Sequence, residues 1–184
     1  MAQRSTVCKA ELQISDMDRG HYATHALTIA RHPSETEERM MIRVLAFAMH
    51  ADEALAFGRG LSTDDEPDLW LRDLTGAIRL WIDVGLPDEK WLRKACGRAP
   101  HVVALIYGGS KADIWWSQNA DALARLDNLE VIAIPQPTSQ ALAKLSDRSM
   151  TLHCTIQDGE IWIGSGSDDV QISPVRLKRL ARDS

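Results

Sequence analysis

Polar and apolar residues alternate from Thr6 to Ile14, where Cys8, Ala10, Leu12 and Ile14 share one side, and a second alternating run spans His21 to Ile29. Between them lies Ser15-Asp16-Met17-Asp18-Arg19-Gly20, rich in turn formers. The pattern predicts an N-terminal β-hairpin. The period then lengthens. Ser34 with Glu37 three residues on reads as a capping box, and Met41, Leu45, Ala48, Asp52 and Leu55 fall on one stripe, predicting a helix to about Phe57 that stops near Gly58 and Gly60. Glu38 lies three residues before Met41 and so belongs to that inward stripe. Compensation of the helix dipole does not explain it, because Glu35 and Glu37, read as exposed, would serve equally well.

Strands are predicted near Asp68–Leu71 and Ala77–Val84, with Gly76 marking the turn between them. Gly85-Leu86-Pro87-Asp88 opens a short helix through about Cys96, ended by Gly97, and the Val- and Ile-rich His101–Tyr107 is a strand buried on both faces. A helix over Ala112–Arg125 leads to a strand over Glu130–Ile134. Pro135 and Pro137 interrupt the chain before a short helix near Ser139–Leu145. Met150–Gln157 and Glu160–Gly164 flank Asp158-Gly159, a preferred two-residue hairpin turn. Strand, helix and strand at these spacings make right-handed crossovers. The expectation is one α/β domain over residues 1–184, its core about 5–175, with a mixed sheet centred on Asp68–Leu71, Ala77–Val84, His101–Tyr107 and Glu130–Ile134 and antiparallel hairpins at its edges.

With 184 residues, 45% apolar and 26% charged, the chain has the composition of an ordinary globule large enough for one core. It contains no apolar run of membrane-spanning length, and Met1–Thr6 lacks the apolar core of a signal peptide, so a cytoplasmic location without membrane contact is expected. Cys8, Cys96 and Cys154 form no Cys-x-x-Cys pair and read as buried thiols of a reducing compartment. A net charge of −5 argues against a broad basic face, so any nucleic-acid contact is local. Charge is unevenly spread: Asp52–Asp73 is strongly acidic, and Asp88–Lys111 carries Lys90, Arg93, Lys94, Arg98 and Lys111.

The most informative segment is Asp64-Asp65-Glu66-Pro67-Asp68-Leu69-Trp70, and 14 residues separate its Asp68 from Asp83 at the end of an apolar run. Two carboxylates at the ends of neighbouring strands suit a hard divalent cation such as Mg²⁺ or Mn²⁺, which needs only one or two protein carboxylates beside water and phosphate oxygens. Alternation groups Asp68 with Trp70, and Arg79 and Trp81 with Asp83. If those faces meet the start of the first helix, Glu38 joins them, and three carboxylates so close demand a metal ion or a strongly raised pKa. Other motifs carry less. His21 and His25 merely share a face if they lie on a strand, with no third ligand evident. Gly108-Gly109-Ser110-Lys111 lacks phosphate-loop spacing and reads as a turn plus helix cap, and Trp115-Trp116, although able to stack bases, reads as core.

Pro67-Asp68 followed by Asp83 resembles the Pro-Asp…Asp-x-Lys signature of the PD-(D/E)XK nuclease superfamily, with Gly85 where the lysine belongs. Lys90, with Lys94 one turn later, is the candidate replacement. The chain as a whole resembles the YaeQ family of small bacterial proteins, through Lys9-Ala10-Glu11-Leu12, His32-Pro33-Ser34-Glu35-Thr36, the block Gly60–Trp70, Lys94-Ala95-Cys96-Gly97-Arg98 and Cys154-Thr155-Ile156-Gln157-Asp158-Gly159. That resemblance implies a compact α/β fold similar to the nuclease core, in a family without an established activity. Two functions are therefore expected. One is a phosphodiesterase-like site in which Glu38, Asp68 and Asp83 ligate Mg²⁺ or Mn²⁺ and Lys90 steadies the nucleophile, acting on nucleic acid or a smaller phosphate ester. The other is a nuclease-fold protein that no longer cleaves and serves as a binding or regulatory module.

Overall fold

The computed structural model describes residues 4–59 and 65–181, and two β-sheets hold the first helix between them. The chain runs β1 (Thr6–Asp16), β2 (His21–Arg31), α1 (Glu37–Met49), β3 (Leu55–Phe57), β4 (Leu69–Arg72), β5 (Ile78–Val84), α2 (Glu89–Arg98) and β6 (Val102–Ile106). It continues through α3 (Ser110–Leu123), β7 (Leu129–Ala133), α4 (Gln136–Ala143), β8 (Ser149–Gln157), β9 (Glu160–Gly164), β10 (Asp169–Ile172) and β11 (Val175–Lys178). The expected single mixed sheet is in fact two: β10-β9-β8-β1-β2 and β11-β7-β6-β5-β4-β3. The predicted hairpins leave the central sheet because β1 pairs in parallel with β8, joining them into a sheet of their own.

Helix α1 is the layer between the sheets. Every residue from Met40 to Ala48 is buried, because an element packed on both sides needs apolar residues around its whole circumference rather than along one stripe. Thr36, not Ser34, caps it: the Thr36 hydroxyl accepts from the Arg39 backbone N–H at 3.1 Å. The helix stops at Met49, short of the predicted Phe57, and Leu55–Phe57 pairs instead with β4. Gly60 lies outside the described residues.

In the second sheet β5, β6 and β7 run parallel, as the crossovers require. Its far face is covered by α2 and α3 over a core containing Trp81, Leu92, Val102, Trp115 and Leu123. Gly97 lies inside α2, whose last residue is Arg98. Asp158 and Gly159 both take positive φ, 54° and 77°, as the tight β8–β9 turn demands. Among the described residues no helix is long and apolar enough to cross a membrane.

Candidate functional site

Leu69 pairs with Ile82, so the antiparallel register carried one residue further sets Asp68 opposite Asp83 at the strand ends. Backbone contacts fix that placement. The Gly58 N–H donates to the Asp68 carbonyl at 2.9 Å, and the Val84 N–H donates to Asp68 Oδ2 at 2.8 Å. Asp83 Oδ2 accepts two indole N–H groups, from Trp81 at 2.8 Å and Trp91 at 2.7 Å. Burial, reinforced by the negative charge of Asp68, pushes the Asp83 pKa up to about 7, against the stabilising pull of the two indoles.

Arg39 is the residue the sequence reading left out. Its guanidinium donates to Asp68 Oδ1 at 2.8 Å, to the Val84 carbonyl at 3.3 Å and to Glu35 Oε1 at 3.1 Å. Burial opposes its charge, but the two carboxylates outweigh that cost and raise its pKa overall. Glu35, expected to be exposed, is only 4% exposed and also takes both ends of the Arg43 fork, at 2.8 and 2.7 Å. The result is a chain of alternating charges from Arg43 through Glu35 and Arg39 to Asp68. A signal for it stood in the sequence: Arg43 interrupts the apolar run Met40–Met49, and an arginine among buried residues needs a carboxylate partner.

Glu38, Arg39, Asp68, Asp83, Tyr107 and Lys111 line one cavity of about 650 Å³ at the ends of β5 and β6, within the range of small-molecule sites. Burial raises the Tyr107 phenol above its ordinary pKa. Glu38 occupies the α1 wall and accepts from the Ser139 hydroxyl at 3.2 Å. All three expected carboxylates thus open into one space, yet no group of three or more His, Cys, Asp or Glu among the described residues is gathered closely enough to hold a metal ion. Strand alternation supplies the reason. Leu80, Ile82 and Val84 face the α1 core, whereas Trp81 belongs to the α2–α3 side, and Asp83 turns with it toward Trp91 and away from Glu38.

Lys90 is exposed on α2 and does not line this cavity; its backbone N–H caps the helix through Asp88. The lysine that does line it is Lys111, beside the turn formed by Gly108 and Gly109. The acidic and basic stretches meet at Asp65: Lys94 pairs with its exposed carboxylate at 2.9 Å, and Arg98 donates to its carbonyl at 2.9 Å. Asp64 lies outside the described residues. Trp115 is core, as expected, with its indole donating to the Pro87 carbonyl. Cys8 and Cys154 are free and buried, and Cys96 is free and partly buried.

Comparison with known proteins reinforces the fold. Residues 1–174 match the family model described as YaeQ protein. The chain is 45% identical over 172 residues to an uncharacterized YaeQ protein of Salmonella typhi, covering 94% of this chain and 95% of that one. It is 43% identical over 173 residues to the counterpart in Escherichia coli strain K12, covering 94% and 96%. The crystal structure of a YaeQ protein from Xanthomonas axonopodis pv. citri superposes with a TM-score of 0.92 at 52% identity, over 95% of this chain and 98% of that one. The crystal structure of YaeQ protein from Pseudomonas syringae gives 0.92 at 38% identity, over 98% and 99%.

Proposed function

The chain belongs to the YaeQ family, and on that premise we propose that its cavity is a nuclease-like site acting on a phosphate ester with Mg²⁺ or Mn²⁺. The observation that carries this reading is the opposition of Asp68 and Asp83 at the strand ends, inside a cavity that also presents Arg39 and Lys111. The oxygens of Asp68 and Val84 are of the type a hard cation takes, and water and phosphate oxygens would have to supply the rest of its coordination. Asp68 Oδ1 and the Val84 carbonyl oxygen already aim at one cationic nitrogen, Arg39 Nη2, at 2.8 and 3.3 Å, with Asp83 alongside. When bound, the ion would polarise a phosphoryl oxygen and lower the pKa of water.

The chain's own residues supply the rest. Arg39 and Lys111 offset the negative charge of a phosphate group. Asp83, held by two indoles, titrates at about 7 in the metal-free protein, and a bound cation would lower that value and favour the carboxylate as its ligand. Glu38 bounds the opposite wall. The cavity's size and the net charge of −5 favour a nucleotide-sized ester or a strand end over a long duplex.

The second reading, a binding module that does not cleave, is favoured by the Arg39–Asp68 ion pair, which already satisfies a carboxylate the metal would need, and by Gly85 in the lysine position. Cleavage of DNA, RNA and nucleotide esters with Mn²⁺, compared between wild type, Asp68→Asn and Asp83→Asn, separates them. Turnover abolished in both folded variants supports the enzyme. Metal-independent binding of the same compounds without any turnover rejects it.

A further inference from the structure

On the other sheet, β2 carries His21 and His25 on the side that faces inward. Ala23 lies between them on that side, and its small side chain lets the two rings lean together over it. Their Nε2 atoms are 2.9 Å apart. The ring planes are within 15° of parallel with centroids 5.2 Å apart, too far for one ring to cover the other when the nitrogens are this close, so the imidazoles point nitrogen to nitrogen. One ring must donate and the other accept, with a single proton between them. His25 is braced edge-on against Phe47, 5.1 Å between centroids, and feels the negative charges of Glu53 and Asp52 just beyond α1. Burial and the facing His21 lower the pKa of His25.

We propose that His21 and His25 form a second metal site, binding a divalent transition ion of the zinc or nickel class through their two Nε2 atoms. Imidazole nitrogen suits these ions and not Mg²⁺. A tetrahedral ion at about 2.0–2.1 Å from each nitrogen holds them roughly 3.3–3.4 Å apart, so the rings need to open by about 0.4 Å and each to swing by roughly 35° off the line joining the nitrogens, toward the ion. In the neutral pair the bridging hydrogen belongs to one ring, and shifting that ring's tautomer to Nδ1–H frees both lone pairs without releasing a proton. Water completes the coordination. The site is independent of the Asp68–Asp83 cavity and stands whether or not that cavity hydrolyses anything.

The test is calorimetric titration of the tag-free, full-length protein with Zn²⁺ and Ni²⁺, repeated with His21→Gln and His25→Gln and in excess Mg²⁺. One equivalent should bind, weakening by at least about tenfold in each variant, with unchanged affinity in Mg²⁺ and with the Nε2 resonances of both histidines shifted in ¹⁵N spectra. Affinity unchanged in either histidine variant, or no saturable binding to the parent protein, would overturn the proposal.

Discussion

Arg39 Nη2 lies 2.8 Å from Asp68 Oδ1, so the aspartate that the sequence marks as a cation ligand already carries a cation belonging to the protein. The pair is partly exposed, at 19% and 12% for the two side chains. Its electrostatic worth is therefore moderated by solvent, while its position controls what else Asp68 can hold.

Arg39→Leu should lower stability by about 1–3 kcal/mol, since it strips one partner from a largely buried pair. For a chain of this size that is a fall in Tm of roughly 2–4 °C per kcal/mol. The same variant should gain more stabilisation from Mn²⁺ than wild type does, because Asp68 is released. Melting curves with and without Mn²⁺ check both effects, and an unchanged Tm in the metal-free protein would mean that the pair contributes nothing.

Glu35→Gln should be more damaging, by about 3–5 kcal/mol, because it leaves Arg43 and Arg39 charged and short of a counter-ion next to a core helix. Denaturant unfolding gives the number directly. A loss under about 1 kcal/mol would show that the network is not structural.

Asp83 makes a pH-dependent contribution of definite sign. Its ordinary pKa is 3.8 and in the fold it is about 7, so between those values the native state holds a proton that the unfolded chain has lost. Stability from this group is complete below about pH 4 and falls as pH rises to 7, by at most about 4 kcal/mol in total. Asp83→Asn removes the titration. The variant should lose less stability than wild type between pH 5 and pH 8, and parallel stability curves over that interval would refute the assignment.

Trp91→Phe deletes one of two donors to Asp83 Oδ2 and so disfavours the carboxylate form. The Asp83 titration should move above 7, followed by carboxyl ¹³C NMR. A midpoint that moved down or stayed in place would show that the Trp91 indole does not stabilise the charge.

Gly58→Ala tests how the backbone positions the site. A Cβ built there lies 2.0 Å from the Pro67 carbonyl oxygen, so the Pro67–Asp68 strand must move. Stability should fall by about 1–3 kcal/mol, and the Asp68 and Val84 amide resonances should shift. Unperturbed amides would mean that the segment yields without disturbing Asp68.

The local sequence determined much of this molecule. Alternation identified the β1–β2 hairpin, Asp158-Gly159 the β8–β9 turn, and the crossover spacing the parallel strands β5, β6 and β7, because these are decided by side-chain period and backbone conformation within a few residues. Asp68 and Asp83 were likewise legible, and both open into the cavity. What the sequence could not decide were pairings across long separations. The β1–β8 contact that splits the strands into two sheets joins residues about 140 positions apart, and nothing local encodes it. The same holds inside the site, where Arg39 reaches Asp68 across 29 residues and Ser139 reaches Glu38 across 101. A charge on a helix has no preferred partner until packing brings one within hydrogen-bonding distance, so only the tertiary structure could join Arg39 to Asp68 and turn Asp83 toward two indoles instead of Glu38.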